Sequence, residues 1–146
     1  MVNSSLQLFC NRIVAAGRIT HRDVRELAED ILADGIACRD DADLLIALDR
    51  AVCHEAVGFA DLVVALVVDF AVWGERPTGY VDTDIARWLA ASLGAGSGPS
   101  PVAARIAFAV VQEAQTSDEH FIAFALAVRA QRRDAEIGHD VPALAA

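Results

Sequence analysis

Apolar residues return every three or four positions along almost the whole chain, and no stretch alternates apolar and polar between turn residues as a half-buried strand would. A 3.6-residue period puts those side chains on one face of a helix, so the chain can hide them only by packing helix on helix. Stop and cap signals divide it into seven helices. Gly17 ends a first helix carrying Leu6, Phe9, Cys10, Ile13 and Val14. Thr20 and Asp23 have capping-box spacing ahead of a second helix, whose buried stripe is Val24, Leu27, Ala28, Ile31 and Leu32 and whose end is Gly35. A third is predicted near 39–55, with Asp40, Asp41 and Asp43 at its positive end and Leu44, Leu45, Leu48 and Val52 on its apolar face.

Beyond Gly58 lies the most apolar segment, Phe59 to Trp73, read as a buried central helix. The Gly74, Pro77 and Gly79 turn leads to a fifth helix, capped by Asp82 or Thr83 and carrying Ile85, Trp88, Leu89 and Leu93. The GAGSGPS stretch stops it. Ser100 and Pro101 read as cap and first position of a sixth helix containing Ile106 and Val110. Thr116 with Glu119 predicts a capping box for a seventh, lined by Phe121, Phe124, Ala125 and Val128, and residues 131–146 are expected to form a loose tail.

A displacement of 61 lays Val24, Leu27, Ala28, Leu32, Gly35 and Leu45 on Ile85, Trp88, Leu89, Leu93, Gly96 and Ile106. At 62, Phe59, Leu62, Val63 and Leu66 fall on Phe121, Phe124, Ala125 and Val128. The pattern predicts an all-α domain: one N-terminal helix, then two copies of a three-helix unit over 18–73 and 80–130. Leu27, Leu48, Leu66, Trp88, Ile106 and Phe124 are expected in one core.

The chain has 146 residues, 55% of them hydrophobic, enough for a single-domain core. Its 21 acids against 12 bases, all Arg, give a net charge of −9, which disfavours nucleic acid as a partner. No early positive charge marks a signal peptide, and Phe59 to Trp73 contains Asp61 and Asp69 and falls short of the roughly 20 apolar residues of a membrane span. Cys10, Cys38 and Cys53 have neither metal nor disulfide spacing, which fits a cytoplasmic protein. So many apolar residues on seven short helices predict self-association, as a homodimer.

Nine of the 21 acids fall between Asp23 and Asp49. Asp30 and Asp34 share a helix face, Gly35 lets the chain reverse, and Asp40 and Asp41 enter from the next first turn. These four are the candidate ligands for a hard divalent cation, Ca or Mg; the alternative is a solvated acidic face offset by Arg22, Arg25 and Arg39. No catalytic or cofactor-binding residue is assigned: His54-Glu55 opens like a zinc-protease motif but meets Gly58 at the second His, and GAGSGPS lacks the context of a phosphate loop. Asp69, inside the most apolar helix, is expected to pair with Arg87 or Arg105.

The segment ILADGIACRDDADLLIAL, a helix ending in Ala33-Asp34-Gly35 followed by a helix with acids in its first turn, resembles the signature of TerB-like domains, a tellurite-resistance-associated helical family. Asp41 stands where the family pattern has Glu, and the second half carries Ala95-Gly96 and Val102 at the matching places. The resemblance implies a non-enzymatic binding or scaffold domain of stress-response type, with a cation at the acidic turn and a protein partner. The residues themselves leave open a small enzyme with a carboxylate site between the repeats, drawing on Asp69 with His54 or Asp34.

Overall fold

The computed structural model describes residues 3–140, with side chains as far as residue 132. Seven helices account for most of them: α1 (Ser4–Ala16), α2 (His21–Glu26), α3 (Arg39–Ala51), α4 (Phe59–Asp69), α5 (Thr83–Leu93), α6 (Pro101–Glu113) and α7 (Glu119–Asp140). Widened π-helical turns extend α2 over Leu27–Ile31 and α4 over Phe70–Gly74. The fold is all-α, as the periodicity predicts. No described helix is long and apolar enough to cross a membrane.

Most caps follow the sequence. Asn3 accepts from the Ser5 and Leu6 amides, and Gly17 closes α1 in the left-handed region at φ 77°. Thr20 and Asp23 bond each other's backbone amides at 3.2 and 3.0 Å. Asp82 caps α5 through the Ile85 amide, and Ser100 caps α6 through that of Ala103, with Pro101 at the first position. Three boundaries differ. The second helix ends at Ile31 rather than at Gly35, so Asp34 lies in the turn beyond it and does not share a helix face with Asp30. The third helix ends at Ala51 rather than near 55, because Val52 turns extended and His54–Glu55 (β2) pairs in parallel with Arg18–Ile19 (β1). Thr116 does not cap α7: Thr116–Ser117 (β4) pairs with Tyr80–Val81 (β3), and Asp118 accepts from the His120 amide at 3.0 Å. Strands of two residues are too short to show alternation in a sequence.

The two bridges reveal the internal repeat. Arg18 to Tyr80 and His54 to Thr116 are both steps of 62, as are Arg39 to Pro101 and the caps Thr20 to Asp82 and Cys38 to Ser100. The displacement of 61 for the second helix is therefore off by one. In the true register Leu27 meets Leu89, both fully buried, and no slip separates the helices. An apolar stripe spaced three and four apart aligns almost as well one residue out of phase, which is why the sequence misleads there.

The core runs through both halves. Leu27, Leu48 and Ile106 are buried, while Leu66, Trp88 and Phe124 pack half-buried against them. α4 lies centrally, burying Phe59, Val63 and Val67 and packing against α3 and α6. Asp69 is not an internal ion pair. It is exposed near the end of α4, and Arg105 instead meets Asp61 at 2.7 Å. The α7 backbone continues past Gln131 to Asp140, and the rest of the expected tail, 141–146, lies outside the described residues.

Candidate functional site

Arg39, Asp43 and Arg50 are four and then seven positions apart, so they form one stripe along α3, and that stripe faces the second half. Arg39 reaches Glu75 at 2.6 Å and Asp84 at 2.8 Å, with its guanidinium 5.1 Å from the Trp88 ring centre. Asp43 Oδ1 accepts from Trp88 Nε1 at 2.9 Å and from Ser92 Oγ at 2.7 Å. Arg50 donates to the Ser92 carbonyl at 3.1 Å. Phe70 meets Trp88 edge-on at 5.9 Å.

At the far end of α3 this seam opens into a groove of about 440 Å³, walled by Asp49 and Arg50, by Glu55 of β2, and by the glycine-rich segment from Ser97 to Ser100. Asp49 is only 8% exposed, and its Oδ2 accepts a 2.6 Å bond from Ser100 Oγ. One hydroxyl thus caps α6 and ties it to α3. The Glu55 carboxyl is pushed up to about 7, first by burial, then by its hydrogen bond to Asp49 and the charge there. At neutral pH the Glu55 carboxyl is about half protonated. Such a carboxyl can exchange a proton or receive a cationic group.

The acids singled out in the sequence lie elsewhere. Asp41 is 1% exposed and accepts from the Asn3 amide at 2.9 Å, joining α3 to the start of α1. Asp34 and Asp40 are exposed, and Asp30 opens into a separate groove beside Asn3, Arg12 and Glu26. Among the described residues no group of three or more His, Cys, Asp or Glu is arranged to hold a metal ion. Asp69 opens beside Trp73 and Glu113, in a groove that neither His54 nor Asp34 lines.

Cys10 is buried, and burial pushes its thiol up to about 11, away from nucleophilic use. A smaller groove of about 320 Å³ contains Thr83, Arg87, Asp118 and His120. There Asp118 is opposed by burial but held below the usual carboxylate range by the Thr83 hydroxyl and the His120 amide. It serves chiefly as the cap of α7.

Sequence reasoning placed Asp43 at the start of the third helix but not at the seam, and it missed Asp49, although both stand in the acid-rich run. The signal available for Asp49 was Ser100, correctly read as a cap, but nothing in a single sequence says that the same hydroxyl also reaches α3. The chain matches no protein-family profile, no curated protein and no solved structure.

Proposed function

We propose that this chain is a non-enzymatic binding domain, in which two helical halves form a scaffold that presents the groove at their seam to a cationic side chain of a protein partner. The observation that carries this reading is the Asp49–Glu55 pair, an acidic feature open to a groove while Asp41 and Asp43 are occupied in joining elements. A carboxyl titrating near 7, as that of Glu55 does, loses its proton readily when a guanidinium or ammonium arrives, because the new charge favours the ionised form. The TerB-like resemblance fits a binding domain of this kind and remains part of the proposal. Its cation at Asp30, Asp34, Asp40 and Asp41 stays an expectation of the resemblance alone, and the groove carries the proposal in its place. Self-association belongs to the same reading: Leu8 and Val14 of α1 are 69% and 54% exposed.

The test is amide chemical-shift mapping with short Arg- and Lys-bearing peptides. Shifts concentrated at Glu55 and Gly96–Ser100 support the reading, whereas none at millimolar peptide, or shifts spread over every acidic surface, oppose it.

A second reading is favoured by one observation, the Glu55 carboxyl near 7, which suits general acid–base work at neutral pH. It makes the groove a small enzyme site, with Glu55 moving the proton beside Asp49 and Ser100. Turnover of small ester or glycoside substrates that disappears in Glu55→Gln would favour it over binding alone.

A further inference from the structure

Trp73 is 40% exposed, and its indole Nε1 donates to Glu113 Oε1 at 3.2 Å, a bond that joins the end of α4 to the end of α6. Beside it, between the two helices, lies a groove of about 280 Å³ with an apolar floor. Val64 and Val68 stand one turn apart on α4, and the neighbouring row carries Ala65 and Asp69 before it reaches Trp73. Ala109 and then Glu113 form the facing row of α6. One turn back along both helices, Asp61 and Arg105 meet at 2.7 Å and mark the far end.

The floor selects the shape of what it can hold. The backbone amides and carbonyls of α4 and α6 are spent within the helices, so an incoming extended segment would find no hydrogen-bonding edge and would leave its own backbone groups unpaired. A helix satisfies its own backbone and brings only side chains. The alanines at 65 and 109 leave room for close approach, and the run from Val64 to Trp73 is about 13 Å long, two to three helical turns.

Charge selects the sign of the occupant. Asp69 and Glu113 are exposed, no basic side chain lines the groove, and none of the ion pairs among the described residues takes either acid. Both stand near the C-terminal ends of their helices, where free carbonyls add to the negative potential: α6 ends at Glu113, and the widened extension of α4 ends at Gly74. The exposed Trp73 ring beside them offers its face to a cation. A second copy of this chain, at a net charge of −9, brings like charge to that end. We propose that the groove between α4 and α6 docks an amphipathic helix of a partner protein, with its apolar stripe on Val64, Ala65, Val68 and Ala109 and its Arg or Lys side chains at the Trp73 end. This surface is separate from the groove beside Asp49 and Glu55, and neither depends on the other.

The experiment titrates the full chain, by NMR, with two helical peptides of about 14 residues that share one leucine stripe, the first flanked by Arg and the second by Glu. The Arg peptide should shift the Val64, Ala65, Val68 and Ala109 amides and the Trp73 indole, and should bind at least tenfold more tightly than the Glu peptide. Ala65→Arg, at an exposed position, should fill the floor and weaken binding at least tenfold. Asp69→Asn, also exposed, should weaken it severalfold and still decides should Ala65→Arg fail to fold. Signals at Glu55 and Gly96–Ser100 report the other groove separately, and Glu55→Lys should leave the response of the α4 and α6 signals unchanged. Equal affinity for the two peptides, or no shift at these positions at millimolar peptide, overturns the proposal. Shifts there that follow the concentration of the chain itself, without peptide, overturn it in favour of a second copy.

Discussion

Asp43 Oδ1 accepts from both Trp88 Nε1 and Ser92 Oγ, so one carboxylate oxygen on α3 receives two donors from α5, across the junction of the two halves. A half-buried carboxylate with two donors gains charge-assisted bonds, and its loss leaves both donors without a partner. Asp43→Ala should cost about 2–3 kcal/mol by chemical denaturation, and Asp43→Asn distinctly less, since an amide oxygen still accepts. Equal losses in the two variants would show that the side chain acts through packing alone.

Asp41 joins the start of α1 to α3 through the Asn3 amide. Asp41→Ala should therefore lower stability by about 1–3 kcal/mol, and by the same amount in calcium and in chelator. A loss seen only in calcium would restore Asp41 as a cation ligand.

The fate of these acids shows what a single sequence carries. Helix number, the Thr20, Asp82 and Ser100 caps and most of the core were legible, because each rests on spacing within about ten residues. The partners of Asp43, Asp49 and Arg39 lie 36 or more positions away in Trp88, Ser100, Glu75 and Asp84, and no local pattern encodes them. The acid-rich run was correctly seen as unusual. Whether an acid there faces solvent or the seam depends on helix rotation, and the apolar stripe fixes that only to within a residue or so.

Leu27 and Leu89 occupy the same place in the two halves and are both fully buried. Replacing either by Ala should cost about 2–5 kcal/mol, and the half-buried Leu66 should cost less than both. Thermal and urea unfolding of the three variants checks the order. A larger loss at Leu66 would place the core nearer α4 than the structure does.

Glu55 titrates higher in the folded chain, near 7, than the ordinary glutamate value of 4.5. Its contribution to stability is therefore fully present below about 4.5 and is lost as pH rises towards 7. Because the side chain is largely exposed, solvent screening reduces the effect to about 1 kcal/mol or less. Urea midpoints at pH 5 and 8 should differ less in Glu55→Gln than in the wild type, and identical differences would remove Glu55 from the account.

The exposed Leu8 and Val14 predict a dimer at micromolar concentration by light scattering, and Leu8→Glu should shift it towards monomer. A wild-type monomer under those conditions would count against self-association.

The central claim is that the groove beside Asp49 and Glu55, rather than the overall net charge of −9, selects a cationic partner. The most direct measurement is fluorescence anisotropy of a labelled Arg-bearing peptide with the wild type, Glu55→Lys and Asp30→Lys, which introduce the same ammonium group at different places. Glu55→Lys should weaken binding at least tenfold, about 1.4 kcal/mol, while Asp30→Lys should change it little. Equal weakening by the two substitutions would contradict it.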